Sequence, residues 1–329
     1  MSSPAPAGRG SGPGQPPTRA GQARLLAAMP WLFVALWSTG FVVARLAMPH
    51  APPLQFLCWR YLLSLGAFGL WIRWAGVAWP QQPAQWGHLA VSGMLMQAGY
   101  LGGVWAAVKA GIPAGTVALI VGLQPMLTAL WIGTWGQPQA GTARGSAAAQ
   151  PLRPQGSVGR RSGQWPGLAL GLVGLLLVVW PKLGRGEVTA LNLGLSLLAL
   201  LSMTVGVLYQ KRFVAPGDVR TGNFVQLLAA LAVSLPLAWL EPGSLHWHRD
   251  LVLALIWSVL ALSVGASSLL MVLIQRGAAT QVTSLFYLVP PCTALLAWWI
   301  FDEPLGMGTL IGMGVCAVGV GLVLRADRA

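Results

Sequence analysis

The stretch Ala114 to Leu130, AGTVALIVGLQPMLTAL, returns later in the chain as Ala279 to Leu295, ATQVTSLFYLVPPCTAL. The two copies stand 165 residues apart. Each carries Leu-x-Pro in mid-run, at Leu123 to Pro125 and at Leu288 to Pro290, and each continues into Thr-Ala-Leu, at Thr128 and Thr293. A long apolar run interrupted by proline reads as a membrane helix with a bend, because proline removes a backbone hydrogen bond and frees a carbonyl one turn earlier. Inside lipid this is tolerated only where protein, water or ligand answers the freed group. A matched pair of interrupted helices, one in each half, points to a transporter's binding region.

The composition agrees with a membrane setting. Of the 329 residues, 55% are hydrophobic and 8% charged, and the mean hydropathy is +0.66. An ordinary soluble domain is about one-quarter charged. Many of the seventeen Trp stand near the ends of apolar runs, as interfacial anchors do. The formal charge of +13 does not indicate a nucleic-acid partner, because the cations sit between apolar runs. Cys58, Cys292 and Cys316 lie inside apolar runs and read as small packing residues.

Ten runs are long enough to cross a bilayer: 29–48, 55–74, 87–108, 112–134, 165–181, 191–212, 222–241, 251–274, 279–301 and 305–325. The expected fold is therefore an all-α polytopic membrane protein. Residues 1–28, rich in Pro, Gly, Ser and Arg, read as a disordered tail. Residues 135–164 read as a flexible basic loop carrying Arg144, Arg153, Arg160 and Arg161. The first repeat comprises 29–134 with 165–181, and the second 191–325.

Orientation follows from the cations. With a cytoplasmic N-terminus, the inner side holds Arg9, Arg19, Arg24, Arg73, Arg144, Arg153, Arg160, Arg161, Lys211, Arg212, Arg220, Arg276, Arg325 and Arg328. The outer side holds Arg45, Lys109, Lys182, Arg185 and Arg249. Fourteen against five places both termini in the cytoplasm. The repeat extends further, since Ser38 to Arg45, STGFVVAR, aligns with Thr204 to Lys211, TVGVLYQK, at an offset of 166. The same offset sets Arg60 opposite Gln226. Five spans per half is an odd number, so the second half enters the membrane inverted, with Arg45 outside and Lys211 inside.

These residues resemble the EamA family of the drug/metabolite transporter superfamily. The resemblance rests on Leu36-Trp37-Ser38-Thr39-Gly40-Phe41-Val42, Trp59-Arg60-Tyr61-Leu62 and Pro113-Ala114-Gly115 before Leu123-Gln124-Pro125. In the second half it rests on Tyr209-Gln210-Lys211-Arg212, on Leu288-Val289-Pro290 through Asp302-Glu303-Pro304, and on the glycine-rich last run. It covers about residues 30–325. It implies a ten-helix carrier of two inverted five-helix repeats in a bacterial inner membrane, moving amino acids, related metabolites or drugs, with export the expected direction. One departure is Gly136-Gln137-Pro138 in the first half, where the second half has the acidic turn Asp302-Glu303-Pro304.

A carrier needs polar groups at mid-membrane that both halves share. The candidate pathway residues are Trp37, Ser38, Thr39, Arg60, Gln97, Tyr100, Gln124, Pro125, Tyr209, Gln210, Ser267, Tyr287 and Pro290. Amides and hydroxyls there suit a small neutral or zwitterionic substrate without placing a full charge in lipid. The bland alternative for each Ser or Thr is an interhelical hydrogen bond worth about 0.6 kcal/mol. Arg60, the cation well inside a run, either snorkels to headgroups, gates, or faces the cavity. No Asp or Glu stands in mid-run, so coupling through a buried carboxylate relay is not expected.

Gly167-x-x-x-Gly171 and Gly308-x-x-x-Gly312 open the fifth and tenth runs and permit close helix contact, within the chain or in a homodimer. No cofactor is expected. An intramembrane enzyme is disfavoured: Gly265-Ala266-Ser267 has no histidine in mid-run to act as base, since His50, His88, His246 and His248 all stand at loops or run ends, and His246-Trp247-His248 offers only two imidazoles to a metal. A channel or facilitator-type pore is the better alternative, although no repeated filter sequence is present.

Overall fold

A computed structural model describes residues 19–124, 126–128, 131, 164–184, 186–275, 288–303 and 306–328. The described residues are helical and contain no strand. In chain order, α1 is Arg19–Ala47, α2 Pro53–Ala75 and α3 Pro83–Gly93. A π-helical segment, Met94–Gly99, carries α3 without a break into α4, Tyr100–Lys109. Then come α5 Ala114–Val121, α6 Gln164–Gly184, α7 Ala190–Phe213, α8 Val219–Leu240 and α9 Arg249–Trp257. A second π segment, Ser258–Ala266, joins α9 to α10, Ser267–Gln275, and α11 Val289–Phe301 and α12 Met307–Arg328 follow.

Helix α1 begins at Arg19, ten residues before the boundary expected for the tail. The reason is local: RAGQARLLAA is rich in Ala, Leu, Arg and Gln, all strong helix formers. The expected loop 135–164 lies outside the described residues except for Gln164, which opens α6.

Four helical stretches are long and apolar enough to cross a membrane, Ala28–Ala47, Ala190–Phe213, Val219–Leu240 and Arg249–Leu273. Shorter apolar helices include Val289–Phe301 and Met307–Gly319. The α2 and α3–α4 columns are as long, but Arg60, Gln97 and other polar residues dilute their apolar character.

Loop contacts sort the helix ends into two groups. At one end, Lys109 Nζ donates to Met48 O at 2.6 Å, and His246 N donates to His50 O at 2.9 Å. Asn192 Nδ2 donates to Ala110 O at 3.3 Å, Glu241 accepts from the start of α2, and Arg45 pairs with Glu303. At the other end, Gln85 Nε2 donates to Ala215 O at 2.9 Å and Gln275 Nε2 to Gly217 O at 3.0 Å. Asn192 opens α7 and Lys211 closes it, about 30 Å away at 1.5 Å rise per residue. Arg45 and Lys211 therefore lie at opposite ends of the bundle.

The expected bend in the fourth run falls at Gly122–Leu123, where α5 ends just before Pro125. In the second copy, Pro290 stands in the first turn of α11, where its missing N–H costs nothing. Among the described residues the proline there opens a helix, and the part of the run before Leu288 lies outside them. The two segments meet: a Cβ on Gly122 would lie 2.5 Å from Pro290 Cγ.

Helices α6 and α12 pair along their lengths at the periphery. A Cβ on Gly312 would come 2.7 Å from Gly174 O, and one on Gly319 would come 2.6 Å from Gly167 O. These glycine faces are engaged within the chain, as expected for packing of the two peripheral runs.

Candidate functional site

A narrow cavity of about 50 Å³ lies at the centre of the bundle. Its walls come from α1, α2, the first π segment and α4 in one half, and from α7, α8, the second π segment and α10 in the other. These are the first three helical columns of each half. A volume of this size holds a water or two, so the site is narrow.

Both π segments border the cavity. The first contributes Met96 and Gln97 and the second Leu262. Met94–Gly99, shifted by the 165-residue repeat offset, falls within Ser258–Ala266. A π turn widens the helix and leaves carbonyls out of the regular ladder. Here side chains answer some of them. Tyr61 Oη donates to Gln97 O at 2.7 Å, and Ser267 Oγ donates to Leu262 O at 3.2 Å.

The polar side of the cavity is an amide cluster. Gln210 Oε1 accepts from Ser92 Oγ at 2.9 Å and from Gln226 Nε2 at 3.2 Å. All three side chains are buried. Their approach depends on Gly93, since a Cβ there would sit 2.3 Å from Gln226 O. Arg60 is only 3% exposed, and its Nε donates to Ser263 Oγ at 3.1 Å on the second π segment. The apolar side includes Trp37, stacked on Tyr100 with ring centroids 6.1 Å apart.

Of the residues singled out from sequence, Trp37, Arg60, Gln97, Tyr100, Gln210 and Ser267 line this cavity. Ser38 instead tethers α1 to α11: its Oγ donates to Val34 O at 2.7 Å and approaches Val289 O at 3.5 Å, while Thr293 Oγ1 donates to Ser38 O at 3.2 Å. Thr39 Oγ1 accepts from Trp257 Nε1 at 2.9 Å between α1 and α9. Tyr209 meets His88 Nδ1 through its hydroxyl at 2.9 Å, outside the cavity wall. Gln124 is buried and turns to Thr128, with Nε2 to Oγ1 at 3.1 Å. Pro290 packs on Gly122, away from the cavity. Pro125 and Tyr287 lie outside the described residues.

Tyr61, Ser92, Asn223 and Ser263 were missed by sequence reasoning. For Ser263 a signal existed, because the 166-residue offset carries Gln97 onto it. The others are ordinary polar residues in apolar text.

Toward the end that holds Gln85 and Ala215, a vestibule of about 320 Å³ opens between residues 78–82 and 215–218. Met271 lines both vestibule and cavity. With Leu89 and Val225 it forms a small apolar cluster between them. Asp218 borders the vestibule, and hydrogen bonding from the Arg220 side chain holds its carboxyl below the usual range. It is therefore ionised near neutral pH, which disfavours it as a proton carrier.

At the opposite end, ligand atoms of His50, His248 and Asp250 lie within 4.8 Å of one another. His50 thus joins the loop histidine and its neighbour, a grouping that chain spacing hid. His248 Nδ1 accepts from Asp250 N at 3.2 Å, so the cluster also serves as a cap for α9.

Comparison with known proteins divides the chain into two parts. The model of the EamA-like transporter family matches residues 26–137 and 191–325. The chain belongs to the EamA-like transporter family. The two matched blocks each hold one copy of the sequence repeat, as a family member built from two halves requires. The protein is thus a multi-pass membrane protein of a transporter family. No curated protein matches it. A solved structure titled "Crystal structure of protein" is similar to this EamA-like chain at a TM-score of 0.64 and 18% identity, covering 93% of this chain and 98% of that one. At that identity the likeness speaks to the fold alone.

Proposed function

We propose that this chain is a secondary transporter moving a small amino acid-like, neutral or zwitterionic metabolite, or a drug, by alternating access. The observation that carries the proposal is the central cavity: each half supplies its first three helical columns, and each supplies a π segment at the repeat offset. Ten crossings in two inverted five-helix repeats account for the odd span number per half and for the opposite placement of Arg45 and Lys211. With both termini cytoplasmic in a bacterial inner membrane, the vestibule opens inward and the Arg45–Glu303 end faces outward. A carrier loaded from that vestibule works as an exporter.

The test is flux in proteoliposomes, with substrates first chosen by comparing metabolites inside and outside deletion and overexpression strains. Saturable, stereoselective flux supports the carrier. Flux that rises linearly with concentration over the accessible range sinks it and favours a channel. Impermeant labelling of cysteines placed at Arg45 and Lys211 in intact cells tests the inversion, which fails if both react from the same face.

A further inference from the structure

We infer that Arg60 is the anion-binding element of the central cavity, and that the transported molecule carries a carboxylate on a small apolar body. This rests on the carrier reading and sharpens its substrate class. Arg60 lines the cavity while almost wholly buried. A guanidinium offers five N–H donors in a fixed fork. Its Nε is engaged by Ser263 Oγ at 3.1 Å, whereas Nη1 is buried with no hydrogen-bond partner. Burying such a group is costly unless an opposite charge and further acceptors answer it.

Nothing acidic answers it among the described residues. No carboxylate lines the cavity. Glu241, Asp250 and Glu303 are engaged at one end of the bundle and Asp218 at the other. A lone positive charge in a low-dielectric cavity attracts an anionic group and repels a cation. The planar fork also matches the two oxygens of a carboxylate.

The rest of the wall describes the body of the ligand. Trp37, Tyr100, Leu262 and Leu270 form an aromatic and aliphatic surface, and Gln97 and Gln226 add amide groups. An ammonium group on a zwitterion has the stacked Trp37 and Tyr100 rings to meet, as a weaker cation–π contact. A molecule that is cationic overall has no counter-charge here. This separates hydrophobic carboxylates and zwitterions from cationic drugs, two classes that the family-level reading leaves together.

The test uses the purified full chain in lipid nanodiscs and a fixed panel: phenylacetate, isovalerate, phenylalanine and leucine, each with its amide and with an alkylamine of the same body that has no carboxyl (benzylamine, isobutylamine, phenethylamine and isopentylamine). Thermal midpoints are recorded with each probe. At least one acid raises the midpoint by about 3 °C at ten times its Kd, while its amine leaves it unchanged. Arg60→Gln removes that shift, and Arg60→Lys weakens binding about tenfold or more through loss of the fork. The acid-against-amine comparison on the unmodified chain stands even if Arg60→Gln fails to fold. The inference is overturned if no acid of the panel shifts the midpoint, if amines shift it equally, or if folded Arg60→Gln keeps the acid response. Flux separates the two readings: saturable transport of an amine leaves the carrier standing and removes this site. Acid binding with only non-saturable flux keeps the site and removes the carrier.

Discussion

Arg60 on α2 and Gln226 on α8 stand 166 residues apart in the chain and line the same cavity. They occupy one position of the repeat, filled once by a cation and once by an amide. The duplication therefore supplies a shared site whose two sides differ in charge. The cation holds the second half through Ser263, and the amide reaches Ser92 in the first half.

Gln226→Leu tests the amide side. The substitution keeps the approximate volume and deletes the donor to Gln210 Oε1 and to Ser92 Oγ. Gln210 retains Ser92 as a donor, so the buried cluster is weakened and not orphaned. The expected stability loss is about 1 kcal/mol. The expected effect on flux is larger, because the leucine also removes an amide from the cavity wall. Midpoint measurement with initial-rate flux checks this, and an unchanged rate at a lowered midpoint makes the amides purely structural.

Glu241→Ala tests how α2 is held. That helix starts Pro52-Pro53 with no side-chain cap of its own. Glu241, after the end of α8, accepts from Leu54 N at 2.9 Å and from Gln55 N at 3.1 Å. A carboxylate on otherwise orphaned N–H groups is a charge-assisted cap supplied across the fold. Its loss costs about 1–2 kcal/mol, read as a lower thermal midpoint. Glu241→Gln recovers part of it, since the amide oxygen still accepts.

The sequence made the helical membrane class, the repeat and about a third of the cavity wall legible. Arg60, Gln97, Tyr100 and Gln210 are conspicuous because polar and charged residues are rare in apolar runs. The paired Leu-x-Pro stretches led elsewhere. Gly122 and Pro290 do meet, but as helix packing away from the cavity. Proline marks where a backbone group is freed, and not whether a side chain or a substrate answers it. Ser38 shows the same limit: its hydroxyl is taken by Val34 O within its own helix. The π segments were invisible, since a single extra residue in a helical turn leaves almost no mark on apolar periodicity. The Glu241 cap and the His50–Asp250 grouping were hidden because each joins loops nearly 200 residues apart.

Gly93→Ala tests the close approach of α3 to α8. The added Cβ would lie 2.3 Å from Gln226 O and 2.5 Å from Gln226 Cα. Both are backbone atoms, so the clash cannot be relieved by a side-chain rotation, and the helices must separate. The expected cost is about 1–3 kcal/mol. Substrate flux falls with it, because Ser92 and Gln226 move apart. Wild-type midpoint and flux would show instead that this interface yields freely.

Met271→Ala tests the partition between vestibule and cavity. The Met271 side chain touches both spaces, and its neighbours Leu89 and Val225 are buried with it. Asn223 lies on the cavity side, with its Nδ2 held 2.9 Å from Val219 O. In a background with Cys58, Cys292 and Cys316 replaced, Asn223→Cys is a reporter of access. An impermeant thiol reagent applied from the vestibule side reacts with it slowly while Met271 is present. Truncation to alanine removes several buried methylene-sized groups at about 0.8 kcal/mol each. Losing even 1.4 kcal/mol of the opening barrier speeds labelling about tenfold. The same truncation raises flux if passage through this partition limits turnover and leaves it unchanged if the other end does. Equal labelling rates with and without Met271 would mean that the path to the cavity runs elsewhere.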